Sequence, residues 1–342
     1  MIRHRLAGWE IGHLDSPHLQ QYNIISESLE RTMLIRLMSI SLAALLPLAA
    51  AAADAPKVVA SIKPIHSLVS AVMEGRGKPR LLVPATASEH SYSLKPSDAK
   101  ALAEAHLVFW IGAPIETPLV KTMATHRAKA VALLDVPGLD VLDSREGGIW
   151  SAHDHGHGHG HAHGKDAADE RDGHVWKDPQ RAMVLADAIA AALGRADPEG
   201  AARYAANAGA LKQRLAALDA ELAATLAPVR TRRYVVFHDA YQYFEARYGL
   251  AAAGSITVSP ERAPGAKRLR ELRSLFSERG AVCAFAEPQV KPAVLDTLVK
   301  GTTVRSGVLD GLGAGIPEGP DAYFTMMRGL AASLVGCLAG TA

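Results

Sequence analysis

The chain has 342 residues, nearly half of them apolar, with few aromatics and a formal net charge of +2. That length is enough for one large domain or two lobes, and so small a charge, with no basic stripe carrying interleaved aromatics, argues against a nucleic-acid partner. The 15 histidines are the compositional anomaly, and they are clustered rather than scattered.

Residues 33–53 read as a secretory signal peptide: Arg36 supplies the positive start, Leu37 to Leu48 a short apolar core, and the Ala-rich end an A-x-A site before Asp54. Such a leader places the mature protein in the periplasm of a Gram-negative-type bacterium. Residues 1–32 fit no part of a leader, whereas Met33 is well placed to begin one, so 1–32 is expected to be a mis-called N-terminal extension. No other stretch reads as long and apolar enough to span a bilayer, so the mature protein is not expected to be membrane-spanning.

Beyond the leader, strand and helix patterns alternate. Residues 57–62 predict a strand, Pro64 to Met73 a helix, 80–83 a strand, and 96–105 a helix with Ser97 as N-cap. A buried strand over 107–111, a helix over 115–126 and a strand over 130–134 follow. The Gly/His/Asp-rich stretch 147–173 lacks the apolar residues a core requires and reads as a disordered surface loop. An Ala-rich helical region runs from Pro179 to Leu226, broken near Asp197-Pro198, where a proline can open a second helix. Strands then fall at 233–237, 255–258, 281–285 and 302–305, with helices over 240–247, 264–279, 291–300 and 320–338. Alternation of this kind means βαβ units and a mostly parallel sheet. The expected organisation is an N-terminal α/β lobe over 54–176 carrying the His-rich loop 147–173, a linking helix over 177–206, and a C-terminal α/β lobe over 207–342.

Three isolated histidines lie at strand ends or in loops: His90, His174 and His238. His238 directly follows an apolar strand, at the carboxyl end where open parallel sheets bind ligands. His90 precedes a helix of the first lobe, and His174 comes just before the linking helix. All three can meet if the lobes face each other. Their spacing alone is not diagnostic, and nothing in the chain reads His-Glu-x-x-His. His66 follows Pro64 near the first strand end and is not expected to be a ligand; His106 and His126 read as ordinary helix-end or surface residues.

The contexts of these histidines resemble a known family, the periplasmic zinc-binding components of bacterial zinc ABC importers (the ZnuA family), within the metal-binding cluster of solute-binding proteins. The resembling segments are Val59-Ala60-Ser61-Ile62-Lys63-Pro64, residues 87–98 around Glu89-His90, His174-Val175-Trp176-Lys177-Asp178-Pro179, Val236-Phe237-His238-Asp239-Ala240-Tyr241, Phe285-Ala286-Glu287-Pro288-Gln289 and residues 307–313 around Asp310. In order, they span essentially the whole mature chain. The resemblance implies two Rossmann-like lobes, a rigid linking helix, and Zn²⁺ held in the interlobe cleft by His90, His174 and His238. It also implies the membrane permease of a zinc ABC importer, with its ATPase, as partner, and a monomer in solution.

Ligand chemistry is consistent with that assignment, since imidazole suits Zn²⁺ at about 2.0–2.1 Å in tetrahedral geometry. Manganese and iron relatives resemble this chain but carry two histidines and two carboxylates, with a Glu where His238 stands. Glu89 matches the family's optional carboxylate and is the first candidate for a fourth ligand; Asp310 matches an Asp ligand of the manganese members and is the second. Asp239 or nearby carbonyls are expected at most to orient the rings.

Alternating His153, His155, His157, His159, His161 and His163 resemble the His-rich loop inserted before the second ligand in many such proteins. Alternate residues of an extended chain lie about 6.6 Å apart, too far to share one ion, so this tract must bend at its glycines to chelate. Its sites are therefore expected to be weak, auxiliary and exchangeable. Cys283 and Cys337 would be buried thiols in a reducing compartment, whereas in an oxidising one two is the number for a single bridge; the resemblance implies that they are joined. The competing functions are a manganese or iron carrier of the same family, a zinc hydrolase using Glu89 as general base, and an adhesin with structural zinc. No substrate-positioning motif accompanies the histidines, and the protein is not expected to be an enzyme.

Overall fold

The computed structural model describes residues 55–145, 150, 170–257, 265–290 and 293–340. The leader, residues 1–32 and the histidine tract 153–163 lie outside them. In the first lobe, β1 (Val58–Ala60), α1 (Lys63–Val72), β2 (Arg80–Leu81), α2 (Pro96–Glu104), β3 (Leu107–Trp110), α3 (Val120–Thr125) and β4 (Ala130–Ala132) succeed one another. The strands pair in the order β2-β1-β3-β4, every pair parallel. Two helices follow, α4 (Pro179–Ala196) and α5 (Ala201–Leu226). The second lobe holds β5 (Tyr234–His238), α6 (Gln242–Tyr248), β6 (Ala252–Thr257), α7 (Ala266–Arg279), β7 (Cys283–Ala286), α8 (Ala293–Val299), β8 (Arg305–Val308) and α9 (Ala322–Ala339). Its strands repeat the first lobe's topology, β6-β5-β7-β8, again all parallel.

Local chemistry accounts for where these elements begin and turn. Pro96 opens α2 because the first helical position needs no N–H. Ser97 is not the N-cap; Lys95 takes that place, and the Asp98 carboxylate three residues on accepts the Lys95 N–H at 3.0 Å. Glu116 closes the turn after β3 by accepting the N–H groups of Ile111 (2.7 Å) and Gly112 (3.0 Å), and burial raises its carboxyl to about 7. Between α4 and α5 the chain turns at Asp197-Pro198. Asp197 accepts bonds from Arg76 (2.8 and 2.9 Å) and Tyr204 (2.6 Å), and the Arg76 guanidinium holds its carboxyl down at about 2.

Residues 177–206, the expected linking segment, contain α4 and the beginning of α5. The helix that packs against both lobes is α5, which touches α4, α1 and α9; α1 also packs directly on α9. One continuous apolar core therefore runs through the first lobe, these helices and one face of the second sheet. The other face of that sheet, toward α7 and α8, has a separate core including Val235, Phe237, Ile256, Leu272, Phe276 and Leu298. Among the described residues α9 is long and apolar enough to cross a membrane, a candidate the sequence pattern does not single out. Its apolar residues are used otherwise: Tyr323, Phe324, Met326, Met327, Leu330 and Leu334 are buried in the interlobe core. Cys283 at the start of β7 is disulfide-bonded to Cys337 of α9, across 54 positions of sequence.

Candidate metal centre

Both sheets change winding direction between their second and third strands in space, and those switch points are where open parallel sheets form crevices. His238 is the last residue of β5, and Glu287 follows β7, its neighbour across the second sheet's switch point. His90 lies in the loop between β2 and α2. His174 lies in the connection between β4 and α4, where the turn Val175–Lys177 begins. From these separated positions the three rings meet: centroids are 5.6 Å apart for His90–His174, 5.5 Å for His90–His238 and 5.4 Å for His174–His238. One ring nitrogen from each lies within 4.8 Å of the other two.

The outward nitrogens of two rings are tied to carboxylates. His174 Nδ1 donates to Asp172 Oδ1 at 2.7 Å, and the His174 backbone N–H donates to the same oxygen at 2.9 Å. His238 Nδ1 donates to Glu287 Oε1 at 2.8 Å, while the Tyr241 hydroxyl donates to Leu309 O at 3.1 Å beside it. A carboxylate on Nδ1 fixes the tautomer and leaves a bare Nε2 lone pair, the arrangement that orients metal-bound histidines. The Nε2 atoms of His174 and His238 are buried and have no hydrogen-bond partner among the described residues. A buried unmatched acceptor is costly, and a cation is the natural mate for such a pair.

Electrostatics separates the two rings. His174 is held well below the ordinary histidine range, first by burial and then by the positive charge of Lys177. Burial also pushes His238 down, but the charge and hydrogen bond of Glu287 more than reverse that and leave it raised.

The candidate fourth ligands differ in placement. Glu89 is buried, lines the cavity beside His238, and brings Oε1 to 3.8 Å from His90 Nε2. Asp310 commits its carboxylate to its own turn, accepting the N–H groups of Leu312 (3.2 Å), Gly313 (2.7 Å) and Ala314 (2.6 Å). Asp239, expected to orient a ring, instead binds the Arg145 guanidinium, which also pairs with Glu245 at 2.7 Å and stacks on Trp150. His66 is turned to Pro79 O at 3.1 Å and to Glu318 at 3.7 Å, away from the trio. His106 accepts the Lys57 N–H at 3.0 Å.

A family profile described as "Zinc-uptake complex component A periplasmic" matches residues 58–337. The chain belongs to the ZnuA family. A protein of Brucella abortus named "High-affinity zinc uptake system protein ZnuA" is 51% identical over 304 residues, covering 82% of this chain and 91% of that one. The protein of the same name from Yersinia pestis is 38% identical over 290 residues, with the same two coverages. Among solved structures, one titled "Crystal structure of ZnuA" matches with a TM-score of 0.69 at 23% identity, over 83% of this chain and all of that one. The periplasmic zinc binding protein TroA of Treponema pallidum matches with a TM-score of 0.70 at 22% identity, covering 83% and 99%. These two structures establish a shared fold of two parallel-sheet lobes.

Sequence reasoning did not single out Asp172, Glu287, Lys177 or Tyr241 as functional. A signal existed for two of them. Asp172 stands two residues before His174, the offset at which an Asp side chain reaches a backbone N–H. Glu287 directly follows the apolar strand β7 much as His238 ends β5, so the two sit side by side at adjacent strand ends.

Proposed function

We propose that this chain captures Zn²⁺ in the periplasm and delivers it to the membrane permease of an ABC importer. His90, His174 and His238 supply three ligands, and Glu89 shares the fourth position with water. One observation carries this assignment: three imidazoles from separate parts of the chain converge, and those of His174 and His238 present buried, unmatched Nε2 atoms behind carboxylate-anchored Nδ1 atoms. The family is that of the periplasmic component of zinc uptake.

Three imidazoles favour zinc over manganese, whose harder ion prefers carboxylates. The Glu89 position supports its part in the site, whereas Asp310 already satisfies three backbone donors. Residues 33–53 act as a cleaved leader, and the tract 153–163 adds weak sites that exchange zinc. Competitive titration of the exported protein tests the assignment. Zinc is expected to displace manganese at a large excess of manganese, and His238→Ala to cost on the order of 100-fold or more in zinc affinity, far more than deleting residues 153–163. Equal affinity for the two metals would favour a manganese or iron carrier, and turnover of ester, amide or phosphate substrates would favour a hydrolase.

A further inference from the structure

An ammonium group built into the wall of a cation site calls for an explanation. Lys177 follows Trp176 in the turn between His174 and α4 and is only 2% exposed. Its Nζ lies 4.6 Å from the ring centroid of Trp176 and 4.7 Å from that of Tyr241, held between two aromatic faces. Gly311 makes room for it: a Cβ at that position would come within 2.7 Å of Lys177 Cε and 3.0 Å of Nζ. Together with Glu89, His238 and Glu287, Lys177 lines the cavity beside the histidine trio.

Burying a lone ammonium is expensive unless carboxylates compensate it. Burial does push the Lys177 amine below its ordinary range, and Glu89, Glu287, Asp172 and Asp310 oppose that, in decreasing order. Glu89 and Glu287 thus share with the Lys177 ammonium the same small cavity that His238 lines.

On the reading that zinc is bound by His90, His174 and His238, we infer that Lys177 is an internal counter-cation: its ammonium balances Glu89 and Glu287 in the metal-free cleft, weakens zinc binding, and speeds release. A divalent ion entering the cleft meets a like charge nearby, in surroundings where charges are far less screened than in water. Replacing the ammonium with a neutral tip of similar length removes that repulsion. It also leaves Glu89 and Glu287 without their cation, so that zinc compensates them instead. Both effects tighten binding. A lysine that served only as packing would give the opposite sign, because its loss would loosen the turn carrying His174 and the wall around Glu287.

The test compares wild-type protein, Lys177→Met and Lys177→Gln at pH 7.5 by zinc titration against a competing chelator, by the rate of zinc release into excess chelator, and by thermal unfolding. Both variants are expected to bind zinc roughly tenfold or more tightly and to release it correspondingly slowly. Their metal-free forms should melt lower, and zinc should raise their Tm by more than it raises the wild type's. Unchanged or weaker affinity in the variants, or faster release, overturns the inference. Should Lys177→Met fail to fold, Lys177→Gln, which keeps a polar tip, decides between these outcomes. Wild type and His238→Ala are titrated alongside: if wild type binds no zinc, or His238→Ala binds it equally well, the zinc assignment itself fails, a result distinct from any behaviour of Lys177.

Discussion

His238 donates its Nδ1 hydrogen to Glu287, and that carboxylate also stabilises a second proton on the ring. Zinc must displace the proton on Nε2, so metal affinity is linked to pH. For His238, burial lowers the pKa but the Glu287 charge and hydrogen bond raise it above the ordinary 6.5. The ring is thus free for zinc above that raised value and becomes blocked as pH falls through it. His174 is shifted the other way, lowered by burial and then by Lys177, so the raised ring of His238 sets where acid first competes with zinc. Zinc affinity is therefore expected to begin falling above pH 6.5 as the solution is acidified, and Glu287→Gln should move the onset to lower pH. Chelator-competition titrations between pH 5 and 8 check this; a pH-independent affinity would exclude imidazole ligation. The three histidines stand out in sequence as isolated residues at strand ends and turns, but it is the resemblance of their contexts to the zinc-importer family, not their spacing, that suggests them as ligands. Of their carboxylate anchors, Asp172 has a local signal in its offset from His174, and Glu287 only the weaker one of ending a strand. Glu287 reaches His238 only because β5 and β7 are neighbours in space, and that pairing is a property of the sheet, not of either segment. Asp310, whose context resembles a ligand's, has a role in its own turn that no sequence pattern announces: it accepts three backbone N–H groups.

At the scale of elements, the alternation of strand and helix was readable throughout, since buried parallel strands are apolar runs bounded by turns. Boundaries moved at β8, expected over 302–305 and found at Arg305–Val308, whereas α2 begins at Pro96 as expected but with Lys95 rather than Ser97 as its N-cap. The α9 segment is readable as a helix but not as the apolar wedge between lobes, because helix-on-helix packing leaves no local signature. Its disulfide to β7 closes a loop of 54 residues, which stabilises the fold by about 4 kcal/mol in the chain-entropy model. Reduction, or Cys283→Ser, is expected to lower the midpoint of denaturant unfolding by a corresponding amount while leaving zinc affinity within a few-fold, since the bond lies at the far end of β7 from Glu287. Equal midpoints for oxidised and reduced protein would show that α9 is held by packing alone. The stems of the His-rich segment are also fixed: Asp143 and Arg171 pair as an antiparallel bridge, and Tyr243 accepts the Leu142 N–H and donates to Asp172 O. Residues 170–173, expected to lie in a disordered surface loop, are instead part of the folded lobe, with Asp172 buried against His174.

Across the whole molecule, the lobes are pinned to each other by more than the chain that joins them. Lys63 of α1 donates to Gly313 O (2.7 Å) and Ile316 O (2.6 Å), Trp176 Nε1 donates to Gly311 O (3.1 Å), Tyr323 donates to Trp176 O (2.7 Å), and Gln289 donates to Ala85 O (2.6 Å). With a continuous core beneath these bonds, a wide hinge would break several buried contacts at once. Closure on a metal ion is instead expected to be small. Tetrahedral zinc at about 2.0–2.1 Å requires ligand nitrogens about 3.3 Å apart, whereas here they lie within 4.8 Å of one another; ring rotation and a shift on the order of 1 Å suffice. Anomalous scattering at the zinc edge from a zinc-loaded crystal measures this directly. The expected result is a strong peak bonded to ring nitrogens of His90, His174 and His238, with the lobes nearly where they now stand. A dominant peak elsewhere, with the three rings unligated and still apart, would contradict it.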